Sequence, residues 1–190
     1  MQSRDRVAAA FLESAANFRA LSEQAGEIEA SAQTIAQRMQ RGGKVMFCGN
    51  GGSAADAQHL ATELSGRYLR NRRALPALAL TVDSSALTAI GNDYGFPHVF
   101  ARQIEAVGRQ GDVLIAISTS GNSENVLNAV RAARQLDIWC LALTGAGGGA
   151  LAGLCDVVVK VPSDRVPRIQ EMHIAVGHAI CDLLETWLAP

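Results

Sequence analysis

The chain has 190 residues, enough for one hydrophobic core, and no Pro-rich or polar stretch divides it, so we expect a single domain over residues 1–190. Seventeen basic residues nearly balance eighteen acidic ones, which excludes an overall field that would attract nucleic acid or an anionic membrane. Its apolar runs are too short to span a bilayer, and no apolar export signal follows Met1. We therefore predict a cytoplasmic protein that recognises a charged ligand locally.

The N-terminal part of the chain has helical periodicity. Apolar residues such as Val7, Phe11 and Phe18 recur at helical spacing, and Gly26 is the expected break. This pattern predicts a helical hairpin over residues 1–41. Because its apolar residues lie on more than one side, we expect the hairpin to be used in oligomerisation.

Residues 42–190 alternate between short apolar runs and helical segments. Buried parallel strands are expected at 44–48, 77–81, 112–118, 138–144 and 156–161. Helices are expected at 54–67, 84–90, 99–107, 124–136 and 168–188. The alternation predicts an α/β fold, a three-layer α/β/α sandwich with a five-stranded parallel sheet. In such folds ligands bind beyond the carboxyl ends of the strands.

Two loops rich in Gly and Ser follow the first and third predicted strands. The first comprises Gly49, Asn50, Gly51, Gly52 and Ser53, and the second comprises Ser118, Thr119, Ser120, Gly121, Asn122 and Ser123. Each would offer hydroxyls and free backbone N–H groups at a helix N-terminus, which favours a phosphate site. Neither loop contains the lysine of a P-loop, which disfavours nucleotide hydrolysis. The alternative for either loop alone is a simple helix N-cap with turn glycines, but two at neighbouring strand ends favour phosphate binding.

A third Gly-rich stretch, residues 145–149, also follows a predicted strand. It has no hydroxyl beyond Thr144, so we predict a flexible connection there. We do not include it in the phosphate site.

The four cysteines, Cys48, Cys140, Cys155 and Cys181, are widely spaced and mostly lie in apolar surroundings. No CxxC pattern occurs among them. Free core thiols are therefore expected, rather than disulfides or a cysteine zinc site.

A short basic cluster lies at the end of the predicted helix at 54–67 and just after it. It comprises Arg67, Arg70, Arg72 and Arg73. Such a run is typical of a solvated face. The alternatives are attraction of an anionic substrate and a subunit contact.

Two predicted helices carry groups that could perform chemistry. His59 and Glu63 are four residues apart after the first loop, so both side chains would share a face and could hold a metal or a substrate. The alternative for this pair is a solvated surface interaction. In the last helix, spacing permits a Gln170/His178 pair about 80° apart and a Gln170/His173 pair about 60° apart. Helical geometry alone leaves both open, although a lone helix histidine such as His173 is commonly a packing residue.

Together these motifs resemble the sugar isomerase (SIS) domain family. The resemblance rests on both loops, His59 with Glu63, Gly91-Asn92-Asp93 and Arg168-Ile169-Gln170-Glu171-Met172-His173, and it extends from about the first helix to the last. It is strongest to the branch that isomerises seven-carbon sugar phosphates. It implies a flavodoxin-like SIS fold and a homotetramer with one Zn²⁺ ion per subunit. The implied reaction interconverts sedoheptulose 7-phosphate and D-glycero-D-manno-heptose 7-phosphate, the first step of bacterial ADP-heptose and lipopolysaccharide core synthesis.

The resemblance also implies roles for individual residues. It puts substrate contacts at Asn50, Gly51, Gly52, Ser53, Glu63, Asn92, Asp93, Ser118, Thr119, Ser120, Ser123 and Gln170. It assigns zinc to His59, Glu63, Gln170 and His178. Reaction through an enediol needs a base for the carbon-bound proton and an acid for the oxygens, for which Glu63 and His178 are the candidates. A zinc-bound glutamate is a poorer base, so whether the reaction requires the metal stays open.

Two other functions stay open at this point. One is an isomerase of another sugar phosphate, such as a pentose or amino-sugar phosphate. The other is a non-catalytic SIS module that binds a replication-initiator protein, as one relative of the family does without the acidic and histidine pair. Glu63 and His178 are both present here, which favours an enzyme.

Overall fold

The structure, a computed structural model, describes residues 3–188, so the predicted domain ends at residues 1–2 and 189–190 lie outside it. Its sheet consists of β1 (Val45–Gly49), β2 (Ala77–Ala79), β3 (Val113–Ile117), β4 (Trp139–Thr144) and β5 (Val157–Lys160). All neighbouring strands are parallel, in the order β2-β1-β3-β4-β5. The predicted five-stranded parallel sheet is confirmed, and four strands lie inside the predicted runs while β1 ends one residue later.

Seven α-helices accompany the sheet within the described residues. They are α1 (Ser3–Leu21), α2 (Ala25–Gln40), α3 (Gly52–Ser65), α4 (Ser84–Tyr94), α5 (Ala101–Val107), α6 (Glu124–Gln135) and α7 (Val166–Leu188). Shorter 3-10 turns lie at Ser22–Gln24, Phe96–His98 and Ala150–Gly153. This arrangement confirms the predicted α/β class.

The two faces of the sheet carry separate cores because side chains alternate along each strand. Val45 and Phe47 of β1 belong to the core formed with α2, α3 and α7. Met46 and Cys48 belong to the core formed with α5 and α6. Burial on both faces explains why the strands read as continuous apolar runs in the sequence.

The N-terminal segment is a long helix with one interruption, where we predicted a hairpin. The interruption is the 3-10 turn Ser22–Gln24, whose neighbours Leu21 and Ala25 keep right-handed helical dihedrals, so α1 and α2 follow one another without a reversing loop. Gly26, the predicted break, lies inside α2. A single glycine is weak evidence for the end of a helix, and the residues on both sides of Gly26 favour a helix.

The interrupted helix packs unevenly. In α2, Ile28 and Ile35 are buried in the core shared with α7. In α1, Phe11 and Leu12 are 70% and 71% exposed. The exposed apolar face predicted for this segment is therefore confined to α1.

All four cysteines are free thiols, as predicted. Burial is the largest cause of a raised thiol pKa, which reaches about 12 at Cys140, Cys155 and Cys181. These thiols are therefore unreactive near neutral pH. Between residues 3 and 188, none of the helices has the length and hydropathy that crossing a membrane would require.

Candidate active site

The first Gly- and Ser-rich loop connects β1 to α3. Gly51 has φ +57°, and the space where its side chain would lie is open. It is also the N-cap of α3, and no side chain makes a capping hydrogen bond to the first N–H groups of that helix. An anion can therefore approach the helix N-terminus at this point. Ser53 is only 3% exposed and packs against Gly49, where a Cβ would lie 2.8 Å from Ser53 Cβ.

The second loop connects β3 to α6 and keeps its hydroxyls together. Ser118 Oγ and Ser123 Oγ lie 3.1 Å apart, and Ser118 is 4% exposed. Ser123 is the N-cap of α6, yet its side chain makes no capping hydrogen bond. The N-cap alternative for this loop therefore does not describe Ser123, whose hydroxyl faces Ser118.

An amide pair ties the two loops together. Asn50 Nδ2 donates to Asn125 Oδ1, and Asn125 Nδ2 donates back to Asn50 Oδ1, both at 2.8 Å. Asn125 is 3% exposed in the first turn of α6. Sequence reasoning missed Asn125; its only local signal is a polar residue in a position where the helix faces the core.

The third Gly-rich stretch, residues 145–149, supports the second loop, and the prediction of a flexible connection is wrong. Gly145 N donates to Thr119 O at 3.0 Å. Gly121 has φ +65°, and a Cβ there would lie 2.1 Å from Gly148 O. The second loop and residues 145–149 therefore pack backbone against backbone, and at Gly121 only glycine allows this contact.

His59, Glu63 and His178 form one cluster. His59 Nε2 lies 3.0 Å from Glu63 Oε1 and 3.0 Å from His178 Nε2. The three donor atoms all lie within 4.8 Å of one another. Ligand atoms bound to one zinc ion at about 2.0–2.2 Å would be separated by roughly 3–3.5 Å, and two nitrogens with one oxygen are donors that zinc prefers. The cluster therefore fits a metal ion, and its side chains are accessible, with His59 47% exposed.

Close packing of α3 on α7 explains how the cluster forms. Gly177 lies against Leu60, and a Cβ at Gly177 would approach Leu60 Cδ1 to 2.4 Å. A larger residue would separate the two helices. Gly177 and Leu60 immediately precede and follow the histidines, so the contact brings His178 to His59.

Three predicted site residues belong neither to the two loop sequences nor to this cluster. The amide of Gln170 packs on Gly52, where a Cβ would lie 2.2 Å from Gln170 Nε2. Gly52 is seven residues before His59, about 10 Å along the helix axis. Asn92 and Asp93 are exposed near the end of α4, and Asn92 Nδ2 donates to Asp93 Oδ1 at 2.8 Å. Gln170 thus lies at the first loop in this structure, rather than with the metal-binding group.

His173 is a core residue, as the packing alternative predicted. Its exposed fraction is 0%, and neither ring nitrogen has a partner with hydrogen-bond geometry among residues 3–188. Burial lowers the pKa of His173 to about 4, opposed in part by the backbone of Thr144. The imidazole is therefore neutral near pH 7 and does not join His178.

Arg72 is not part of a solvated basic face, which corrects that prediction. Its Nε lies 3.0 Å from Glu185 Oε1, and both side chains are 1% exposed. Arg67, Arg70 and Arg73 are exposed, in agreement with the prediction. The difference arises because Glu185 of α7 supplies a buried partner for one arginine only.

A large cavity lies elsewhere, at the amino ends of the strands. It has a volume of about 750 Å³ and is lined by residues that include Arg38, Lys44 and Arg109. The two loops lie at the carboxyl ends, where parallel α/β folds bind ligands. The candidate site thus lies at the opposite end of the sheet from this cavity.

Comparison with known proteins gives consistent matches. The SIS domain family matches residues 11–145, which include both loops and α3. A phosphoheptose isomerase of Rhodospirillum rubrum is 58% identical over 177 residues, covering 93% of this chain and 94% of the relative. The structure of a phosphoheptose isomerase from Neisseria gonorrhoeae superposes with a TM-score of 0.93 at 48% identity, covering 97% of this chain and all of that one. A phosphoheptose isomerase from Francisella tularensis gives 0.95 at 39% identity, covering 98% and 100%.

Proposed function

The chain belongs to the SIS domain family and, within it, to the phosphoheptose isomerases, and on this premise we propose that it interconverts sedoheptulose 7-phosphate and D-glycero-D-manno-heptose 7-phosphate. The observation that supports this best is helix α3, which begins at the first loop and carries His59 and Glu63 further along. Gly52 and His59 are separated by about 10 Å of helical rise. This separation suits a long open-chain sugar with its phosphate at the helix N-terminus and its reacting carbons at the cluster.

The two loops would hold the phosphate group. The donors are backbone N–H groups at Gly51 and Gly52, and the side chains of Asn50, Ser53, Ser118, Thr119, Ser120 and Ser123. The N–H of Ser53 already donates to Asn50 O at 3.0 Å. Hydrogen bonds from neutral donors at a helix N-terminus stabilise a phosphate without a lysine. Sugar hydroxyls would be bound by Gln170, Asn92 and Asp93, of which Gln170 already lies at Gly52.

Glu63 and His178 would carry the proton transfers. Glu63 takes the proton from the carbon next to the carbonyl and returns it to the neighbouring carbon, through an enediol. His178 donates a proton to the carbonyl oxygen and accepts one from the adjacent hydroxyl. Both side chains contact His59, so a substrate bound across the cluster would meet both at once.

His59, Glu63 and His178 would also hold a zinc ion, with Gln170 as a fourth ligand if its amide turns away from Gly52. A bound zinc ion supplies Lewis-acid polarisation of substrate oxygens. Glu63 acts as the base and as a ligand in this proposal, and these two roles compete for one carboxylate. Removal of the metal therefore tests which role limits the rate.

We further propose a cytoplasmic homotetramer with α1 at a subunit contact. Phe11 and Leu12 are 70% and 71% exposed, and burying both between subunits would be favourable. Four free cysteines agree with a reducing compartment.

The test is turnover of a panel of sugar phosphates by the purified protein. Sedoheptulose 7-phosphate should be converted to the aldose, while a pentose phosphate and an amino-sugar phosphate should not. Ser120→Ala is expected to raise KM more than it lowers kcat, because the proposed contact is to phosphate and not to the reacting carbons. Turnover of another sugar with none of the heptose would contradict the proposal.

A further inference from the structure

A buried ion pair lies next to the His59/Glu63/His178 cluster, and both of its side chains also form hydrogen bonds with the backbone. Arg72 and Glu185 are separated by 3.0 Å, with both side chains 1% exposed. Arg72 lies in the segment after α3, and Glu185 lies in the last part of α7. The pair therefore joins the two helices that carry the cluster.

The guanidinium of Arg72 binds the end of α3. Nη2 donates to Glu63 O at 2.7 Å, and Nη1 donates to Leu64 O at 2.9 Å and to Gly66 O at 3.3 Å. The last carbonyls of a helix have no partner inside the helix. Arg72 supplies one, and the first of these carbonyls belongs to the proposed catalytic base.

The carboxylate of Glu185 binds the backbone that follows α3. It accepts N–H groups from Tyr68 at 3.1 Å and from Leu69 and Arg70 at 2.8 Å each. The ring of Tyr68 in turn packs on His178, with 5.5 Å between ring centroids. Glu185 follows His178 by seven residues, which is about two helical turns and therefore the same face of α7.

We propose that Arg72 and Glu185 are positioning residues that set the distance between the His59/Glu63 pair on α3 and His178 on α7. The proposal rests on the proposed function of this cluster. Arg72 fixes the end of α3, Glu185 fixes the backbone of Tyr68, and both are anchored to α7. A change of about 1 Å between ligands is enough to weaken a metal site or misplace a base.

Stability alone does not account for this arrangement. A buried ion pair is costly to desolvate, and apolar residues of similar volume often serve the fold as well or better. Packing of apolar groups is not directional. The forked guanidinium instead makes bonds in fixed directions to carbonyls of α3, which suits the placing of a helix end.

A second ion pair provides a matched control. Lys44 pairs with Asp112, which is 4% exposed, and Asp112 also accepts the backbone N–H groups of Lys44 at 3.0 Å and Arg109 at 2.8 Å. It joins the amino ends of β1 and β3, at the opposite end of the sheet from the loops. It thus resembles the Arg72–Glu185 pair in having a buried carboxylate that accepts backbone N–H groups, although Lys44 is 22% exposed, and it does not touch the cluster.

The experiment compares Glu185→Gln with Asp112→Asn in the full chain. Both replace a carboxylate by its isosteric amide. Urea unfolding identifies conditions in which each variant is folded, and zinc affinity is then measured by competition with a chelating dye. We expect zinc affinity to fall about 10- to 100-fold in Glu185→Gln, as for other residues that orient ligands. Asp112→Asn should bind zinc as the wild type does.

Kinetics give a second readout. In Glu185→Gln we expect kcat to fall more than KM changes, because the substrate phosphate contacts are at the distant loops. If Glu185→Gln does not fold, Arg72→Lys takes its place, because an ammonium keeps the charge but cannot reach the same set of carbonyls. Zinc affinity and kcat equal to wild type in the folded variant, or equal losses in Asp112→Asn, would overturn the proposal.

The proposed function can fail separately. Zinc binding that depends on Glu185, in a protein that does not isomerise the heptose phosphate, would leave the positioning role intact and reject the reaction. A wild-type protein with neither zinc affinity nor turnover would reject both.

Discussion

Helices α3 and α7 meet at two polar clusters whose surroundings differ. At His59, Glu63 and His178 the side chains are accessible, and among residues 3–188 their hydrogen bonds and ion pairs run only within the cluster. At Arg72 and Glu185 both side chains are 1% exposed and their bonding capacity is largely filled by backbone groups. Polar side chains of similar type are therefore free to bind a ligand at the first site, and they hold the backbone in place at the second. We call His59, Glu63 and His178 the open cluster, and Arg72 with Glu185 the filled cluster.

The pKa of Glu185 illustrates the filled cluster. Burial by itself raises the pKa of a carboxyl, but the N–H groups of Leu69, Arg70 and Tyr68, together with Arg72, lower it by more. The net result is a pKa below the ordinary value, so Glu185 is ionised at neutral pH. Because both of its oxygens already accept hydrogen bonds inside the fold, the Glu185 carboxylate is not available to bind a substrate.

Glu63→Gln tests the open cluster and has the largest expected effect. We expect kcat to fall about 10²- to 10⁴-fold, because the amide cannot accept the carbon-bound proton. The free energy of unfolding should change by no more than about 0.5 kcal/mol, since the side chain is partly exposed and makes one polar contact. Steady-state kinetics and urea unfolding of one preparation measure both quantities.

The control for Glu63→Gln is Glu105→Gln, which changes a carboxylate 47% exposed that pairs with Arg102 on α5. It should affect neither quantity. Wild-type kcat in Glu63→Gln, or a large loss of stability, would remove the distinction between an open cluster for chemistry and a filled cluster for the fold.

Arg72→Met tests the filled cluster and should destabilise the protein by about 3–5 kcal/mol, because Glu185 is left buried without its counter-charge. The measurement is the free energy of unfolding from urea titration at pH 7. Arg134→Met is the comparison: Arg134 lies 3.6 Å from Asp156 and is 50% exposed, so its loss should cost less than about 1 kcal/mol. Equal losses in the two variants would show that burial of the pair contributes little.

The sequence alone predicts the elements on which this comparison is built. Apolar runs predict all five strands, and helical spacing predicts the helices between them. Gly51 and Ser118 mark loops at the expected strand ends. The His59/Glu63 pair follows from i,i+4 spacing within one helix. These features depend on neighbours within a few residues, which is why a single sequence contains them.

The filled cluster could not be predicted, since its partners are far apart in the chain. Arg72 and Glu185 are separated by 113 residues, and Asn50 and Asn125 by 75. No periodic pattern links such pairs, and the tertiary fold alone decides that Arg72 is buried while Arg73 is exposed. The interruption of the N-terminal helix was misplaced for a related reason, because Gly26 has no local signal that distinguishes a break from a helical glycine.

The smallest effect that we predict concerns His173, the buried counterpart of His178 on α7. Because burial lowers its pKa to about 4, the folded protein binds this proton less readily than the unfolded chain does, for which the ordinary value is 6.5. Its contribution to stability is therefore complete above pH 6.5 and is lost as the pH falls from 6.5 to about 4. The expected loss is about 3 kcal/mol over that range.

His173→Leu should remove this part of the pH dependence, and urea unfolding at pH 6.5 and pH 5 measures it. Glu185 does not interfere in that interval, because a carboxyl with a lowered pKa loses its contribution only as the pH falls below the ordinary value of 4.5. Comparing the slope between the two pH values also cancels any constant cost of repacking leucine into the core. A variant slope equal to that of the wild type would mean that His173 gains a proton in the fold as easily as in the unfolded chain. The buried, neutral imidazole of His173 would then no longer contrast with the accessible imidazole of His178.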